Sequence, residues 1–326
     1  MTKTNYFDAK ETSSELRRRY NLHFIDVLAK NGARCYLFGG ALRDIVMGKD
    51  WKDADIRVWM PLSPEERDRK VEALLKEANI DVKSVTPFGP AFTVFRFLPP
   101  DSSSSVGIDL SVVSEQWLVG PDFTINGLYF DIETEELIDQ FKAVESIQDK
   151  IIKSARPPLE QFKDEPYMLF RAVKSACQFG FEIEKDTLQA MKDFSGMTEG
   201  VLTMTAEKTM PAFTEWFLGN MWRGLKYDPR RFESLWRSSG FLTVFRNFLA
   251  KRLSLPADDK IIPEIFLSSK KYGYEEAISL FLSAVARSLD EENAKDIFEK
   301  TIEMLSITGK KNYEDFLIED SSIHYH

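Results

Sequence analysis

The residues best equipped for chemistry lie between Tyr36 and Val58, in the run YLFGGALRDIVMGKDWKDADIRV. Asp53 and Asp55 stand two positions apart, in a segment that continues through Ile56, Val58 and Trp59. Side chains alternate along a strand, so this spacing predicts two carboxylates on one face. Two carboxylates side by side repel, and burying them unpaired is expensive. A divalent cation resolves both problems. Mg²⁺ takes oxygen ligands and usually shares its shell with substrate phosphates. Just upstream, Gly39-Gly40 precedes a helical segment. Glycines there let backbone N–H groups approach a phosphate, and a helix N-terminus favours the negative charge. Arg43, one turn further, is within reach of phosphate oxygens. A phosphate cradle opposite a metal-binding pair is the equipment of nucleotidyl transfer. A lone Asp-x-Asp says little; the ordered set of Gly-Gly, Arg-Asp, Gly and Asp-x-Asp says more.

These residues need elements to hold them. Tyr36-Leu37-Phe38 reads as a buried strand, Ala41 to Met47 as a helix ended by Gly48, and the Asp pair as part of a second strand. Upstream, Leu16, Tyr20, Phe24, Val27 and Leu28 predict one helix over residues 10–31, with Arg17, Arg18 and Arg19 mostly outward. Ser63-Pro64-Glu65-Glu66 starts a helix that runs to about Asn79. Strands are expected over 81–86 and 92–97, with the turn Phe88-Gly89-Pro90 between them. Asp101 to Ser105 reads as a mobile polar loop without chemistry of its own. Val106 to Val113 is a further strand, in which Asp109 is a lone charge within an apolar run. An ionised residue there wants a partner.

The stretch from Tyr36 to Val58 resembles the nucleotidyltransferase signature of class II CCA-adding enzymes and bacterial-type poly(A) polymerases. The resemblance implies that Asp109 joins Asp53 and Asp55 as a third carboxylate at the metals. It covers about residues 33–220 and has three further parts. Asp122-Phe123-Thr124-Ile125-Asn126 matches the family's Arg-Arg-Asp-Phe-Thr-x-Asn-Ala, with Gly120-Pro121 in place of the two arginines. Residues 164–182 match a helical motif, Glu-Asp-x-x-Arg followed by two arginines at three-residue steps, which reads the incoming base. Asp164 and Glu165 replace Glu-Asp there, Met168 replaces the first arginine, Arg171 is kept, and Lys174 replaces the last. Thr205-Ala206-Glu207 resembles a Ser-x-Glu-Arg segment that braces the family's neck.

The resemblance implies an α+β fold. A polymerase-β-like head of mixed sheet and flanking helices (33–150) would follow an N-terminal helix (1–32). An all-helical neck (151–220) and body (221–326) would come after it. Gly39, Gly40, Arg43, Asp122, Asn126, Glu165, Arg171 and Lys174 would hold the nucleotide. The implied activity is template-independent addition of nucleotides from ATP and CTP to an RNA 3′ end, through two Mg²⁺ ions. Completion of the tRNA CCA end is the leading expectation. A poly(A) polymerase or a specialised tRNA-modifying transferase with altered base choice is the alternative, raised by Met168 and Gly120-Pro121. A non-catalytic RNA-binding paralogue is the third, and three retained carboxylates argue against it.

Bulk properties agree with a globular chain of two or three domains: 326 residues, 43% hydrophobic and 29% charged. There is no long apolar stretch for a membrane span, and MTKTNYFDAK lacks the apolar region of a signal peptide, so a cytoplasmic protein is expected. Cys35 and Cys177 sit in apolar runs and read as reduced core residues. Three histidines, two of them at the C-terminal end, give little support to zinc or histidine chemistry. The net charge is −9, yet Met221 to Arg252 holds eight Lys and Arg against two acidic residues. That basic segment is the expected RNA contact, with Arg230 and Arg231 at its centre. A monomer is expected.

Overall fold

The computed structural model describes residues 7–88, 92–113, 120–165, 168–194, 221, 223–255 and 274–304. The chain divides into two compact units, Met1–Ala155 and Arg156–His326. The N-terminal helix, expected as a separate segment, lies in the first unit. The expected body lies in the second, as does the expected neck apart from residues 151–155, which fall in the first.

In place of one helix over 10–31, two helices form: α1 (Ala9–Arg19) and α2 (His23–Lys30). The break has a local cause. Tyr20 caps α1 in an extended conformation, and the Asn21 side chain accepts from the His23 N–H at 3.1 Å, which starts a new helix. The loop expected to be mobile is tied to this break. Ser103 Oγ donates to the Arg18 carbonyl at 2.9 Å, and the Ser104 N–H donates to the Arg19 carbonyl at 3.1 Å. The Ser-rich loop thus satisfies carbonyls that the end of α1 leaves open.

A seven-stranded sheet follows, built from β1 (Arg34–Phe38), β2 (Ala54–Trp59), β3 (Val82–Phe88), β4 (Phe92–Phe97), β5 (Ile108–Val113), β6 (Tyr129–Asp131) and β7 (Leu137–Ile138). Its order is β3-β4-β5-β2-β1-β6-β7. It is mixed: β2 and β5 run parallel, while the other neighbours run antiparallel. Helices α3 (Gly40–Val46), α4 (Pro64–Glu77) and α5 (Ala143–Gln148) accompany it. The Ser63 hydroxyl accepts from the Glu66 N–H and donates to its carboxylate at 2.6 Å, a reciprocal cap at the predicted start of α4.

Alternation divides the sheet into an apolar face and a charged row. Phe130, Leu37, Ile56, Leu110 and Phe95 are paired across five strands, and all are buried. Each fully buried side chain of this kind contributes about 1.5–3 kcal/mol. The neighbouring rung points the other way and reads Tyr129, Phe38, Asp55, Asp109, Arg96.

Among the described residues the second unit holds one short strand, Glu182–Ile183, inside the neck expected to be all-helical, and is otherwise helical: α6 (Pro158–Asp164), α7 (Met168–Phe179), α8 (residues 185–194), α9 (Pro229–Ser238), α10 (Phe241–Arg252), α11 (Tyr274–Leu289) and α12 (Ala294–Met304). Trp236 centres its core, with ring contacts to Phe232, Phe241, Phe245 and Phe281 and to Phe170 from α7. The aromatics of the basic segment that are described are therefore split. Phe232 and Trp236 are core, whereas Tyr227 is exposed. Among the described residues no helix is long and apolar enough to cross a membrane. Cys35 and Cys177 are buried free thiols, and burial pushes Cys177 up to about 12. The turn at Gly89-Pro90, the segment Thr205-Ala206-Glu207 and Trp222 lie outside the described residues.

Candidate active site

The charged rung is where the predicted chemistry converges. Asp55 on β2 is the direct register partner of Asp109 on β5, across a parallel pair. Asp53 does not share the strand with Asp55 as the spacing predicts. β2 begins at Ala54, so Asp53 is the exposed residue just before it. It still lies within electrostatic reach. Burial, then the Asp109 charge, then the Asp53 charge push Asp55 up to about 6. A half-buried carboxylate beside two others strongly disfavours ionisation. Among the described residues no hydrogen bond to the Asp55 carboxylate is seen.

Asp109 has a partner. The Arg96 guanidinium, on its register neighbour in β4, donates from Nε to Oδ1 at 2.6 Å and from Nη2 to Oδ2 at 2.5 Å. Among the described residues, no three His, Cys, Asp or Glu side chains stand as a ready-made metal cage. Asp53 and Asp55 remain as oxygen donors toward a cation. That donor set suits Mg²⁺, which is commonly held by one or two carboxylates with substrate phosphates completing its shell.

Gly39 stands against the same carboxylate. Its φ of 72° requires glycine, and a Cβ placed on it would lie 3.9 Å from Asp55 Oδ2. The first turn of α3 therefore opens beside the acidic pair. The Arg43 guanidinium lies over Gly40, where an added Cβ would meet Nη2 at 3.5 Å. Arg43 Nη1 donates to Asn126 Oδ1 at 2.7 Å, and its Nε and Nη2 reach Asp44. Asn126 Nδ2 donates in turn to Asp122 Oδ1 at 2.7 Å, which also accepts from the Phe123 N–H. Gly39, Gly40, Arg43, Asp122 and Asn126 are thus one connected group. A 3-10 turn at Thr124–Asn126 presents the last of them.

Sequence reasoning missed three arginines in this unit. Arg96 is a lone charge in the alternating run FTVFRF, the same signal that singled out Asp109. Arg57 follows Asp55 on the same strand face and stacks over Phe38 at 4.2 Å, with Nη1 donating to the Tyr129 hydroxyl at 3.4 Å. Burial lowers its pKa, and its Nε has no hydrogen-bond partner. Arg19, grouped above with the mostly outward arginines, instead stacks on Trp51 at 4.2 Å and bonds the Trp51 carbonyl and Asp50. No spacing signal in the sequence connects Arg19 to that loop.

In the second unit, Arg156 pairs with Asp164 at 3.1 Å and with Glu165 at 3.5 Å. Arg171 and Lys174 are half-buried on α7. Met168, which replaces the family's first arginine, is buried at 5% exposure. Arg230 is exposed on α9. Arg231, predicted beside it as an RNA contact, is three-quarters buried, and its Nη2 donates to the Phe181 carbonyl at 2.6 Å and to Glu182 at 2.7 Å.

No protein-family profile matches the chain. It is 26% identical over 212 residues to a CCA-adding enzyme of Streptococcus gordonii, covering 62% of this chain and 50% of that protein. It is 29% identical over 198 residues to the CCA-adding enzyme of Enterococcus faecalis, covering 58% and 46%. The chain thus spans about half the length of the curated relatives it matches. Among solved structures, the Bacillus stearothermophilus CCA-adding enzyme in complex with CTP aligns with a TM-score of 0.56 and 20% identity, over 88% of this chain and 69% of that one. The Thermotoga maritima CCA-adding enzyme complexed with tRNA aligns with a TM-score of 0.55 and 16% identity, over 86% and 65%. The expected α+β fold of mixed-sheet head and helical remainder is the fold these structures share with the chain. By sequence the chain is similar, at 26% and 29% identity, to CCA-adding enzymes over about half their length, and it shares the fold of solved CCA-adding enzymes.

Proposed function

We propose that this protein is a template-independent nucleotidyltransferase that adds nucleotides from triphosphates to an RNA 3′ end, completing the CCA end of tRNA. The observation that carries the reading is the Asp55–Asp109 register pair, with Asp53 beside it and the Gly39 turn against the Asp55 carboxylate. Asp53 and Asp55 would hold a divalent cation, Mg²⁺ in the cell. Bound there, it would neutralise phosphate charge and acidify the RNA 3′-hydroxyl. Arg43 binds phosphate oxygens, and Asn126 and Asp122 fix its direction. Backbone N–H groups of the Gly39-Gly40 turn take further oxygens. Positioning and charge complementarity carry phosphoryl-type transfers, so the chain needs no covalent nucleophile of its own.

One observation favours altered base choice. Met168 is buried, so α7 offers Arg171 and Lys174 without a third cation at that step. Glu165 meets Arg156 instead. The test is incorporation with each nucleoside triphosphate separately, on tRNA lacking its terminal CCA and on an unstructured RNA. CTP and then ATP used on tRNA alone supports CCA addition. ATP added repeatedly to both RNAs supports poly(A) synthesis. No incorporation by wild-type protein refutes the enzymatic reading.

A further inference from the structure

Resting on that reading, we propose that Arg96 is a resident counter-ion of the carboxylate row, which gives up Asp109 to a divalent cation and then binds an oxygen of the nucleoside triphosphate. Both Asp109 oxygens are occupied by one guanidinium, in the fork geometry that matches a carboxylate. The same geometry matches a phosphate. Arg96 and Asp109 are register partners on neighbouring strands, and Asp109 is in turn the register partner of Asp55. The guanidinium therefore stands on the face and in the row where cation and triphosphate would meet. Its attachment is exchangeable. Arg96 is 61% exposed and Asp109 31%, so solvent reaches the pair and screens it despite its bidentate geometry. A buried Arg96 would be a strut; this one can be displaced. While the fork is closed, both Asp109 oxygens face the guanidinium, and a cation would have to compete with it for them.

Mn²⁺ binding, measured by titration calorimetry on the full chain without nucleotide, tests the first half. Arg96→Ala should bind Mn²⁺ about two- to fivefold tighter than wild type, the range set by an exposed ion pair. That gain should vanish in an Asp109→Asn background, because the competition needs both partners. A gain that persists in Asp109→Asn would mean a diffuse field effect and overturn the proposal. Unchanged affinity in Arg96→Ala would overturn it too. The second half has the opposite sign. With Mn²⁺ saturating, a non-hydrolysable ATP analogue should bind Arg96→Ala several-fold more weakly, and Arg96→Lys between the two. Equal analogue affinity in wild type and Arg96→Ala would overturn the handover. Failure of the underlying reading looks different: Mn²⁺ binding that is absent in wild type, or unaffected by Asp55→Asn, removes the cation site and this proposal with it.

Discussion

Arg43 and Asn126 are 83 positions apart in the chain, and Arg43 Nη1 donates to Asn126 Oδ1 at 2.7 Å. The bond joins the glycine turn to the 3-10 turn after Asp122. It aims a guanidinium that Asp44 alone would let swing. Asn126 acts through Arg43, and Asp122 acts through Asn126.

Asn126→Ala should therefore behave as a weakened Arg43. A hydrogen bond to a charged group is worth about 1.5–3 kcal/mol. We expect KM for the triphosphate to rise by roughly tenfold or more, with kcat changed far less, since the lost contact serves bound substrate and transition state alike. Steady-state kinetics with ATP and CTP would check it. A fall in kcat at constant KM would mean that the Arg43–Asn126 bond serves the chemical step and not the binding of the nucleotide.

Asp55 sets a pH dependence. Its folded-state value is raised to about 6 by burial, Asp109 and Asp53. The folded state thus favours the protonated acid more than the unfolded state does. The stability this contributes is complete below the ordinary aspartate range and is lost as pH rises through about 6. Two pH units correspond to up to about 3 kcal/mol. Asp55→Asn cannot ionise, so it should be more stable than wild type at pH 7.5 and lose that advantage by pH 4. Mn²⁺ should raise the wild-type Tm at pH 7.5 and leave that of Asp55→Asn unmoved. Incorporation should collapse in the same variant. Activity within tenfold of wild type, a barrier change of only ~1.4 kcal/mol, would remove Asp55 from the site.

Much of this site was legible before the fold. Strand alternation and the glycine turn located Asp55, Gly39 and Arg43, because both signals are local. Asp109 was visible as a charge in an apolar run. Its pairing with Asp55 was not, since parallel register across fifty-odd residues is a tertiary fact. Arg96 carried the same lone-charge signal and was passed over. The break at Tyr20–Leu22 was hidden because the apolar spacing of α1 and α2 stays in phase across it. Met168 illustrates a different limit. Motif position put it on the base-reading ladder, but a methionine at the start of α7 gains more by burial than by exposure, and the helix places it inward.

Met168→Arg therefore has a different expected outcome from the one its motif position suggests. It should not sharpen the preference between CTP and ATP. An arginine there would bury a charge without a partner, and we expect a loss of about 2–3 kcal/mol of stability. Thermal unfolding and the ratio of kcat/KM for the two triphosphates would be compared. A shifted ratio with unchanged Tm would show that α7 can present this position to the base after all.

Arg230 and Arg231 are adjacent in sequence and should separate in function. Arg231 is tied by Nη2 to the Phe181 carbonyl and to Glu182, and its N–H is capped by Asp228 at 3.0 Å. Arg231→Glu removes the first two contacts and sets a second acid against Glu182. We expect about 1–2 kcal/mol of destabilisation from it, with little direct effect on RNA. Arg230 is exposed in a segment whose local charge is opposite to that of the chain as a whole. If it contacts a phosphate, Arg230→Glu should weaken RNA binding and reduce the slope of log K against log[salt] by about 0.7–0.9. KM for the triphosphate should stay within about twofold, because a lost phosphate contact to RNA leaves the nucleotide's own contacts in place. RNA titrations at several salt concentrations decide it. An unchanged slope in Arg230→Glu would make the basic run of α9 a solvated face.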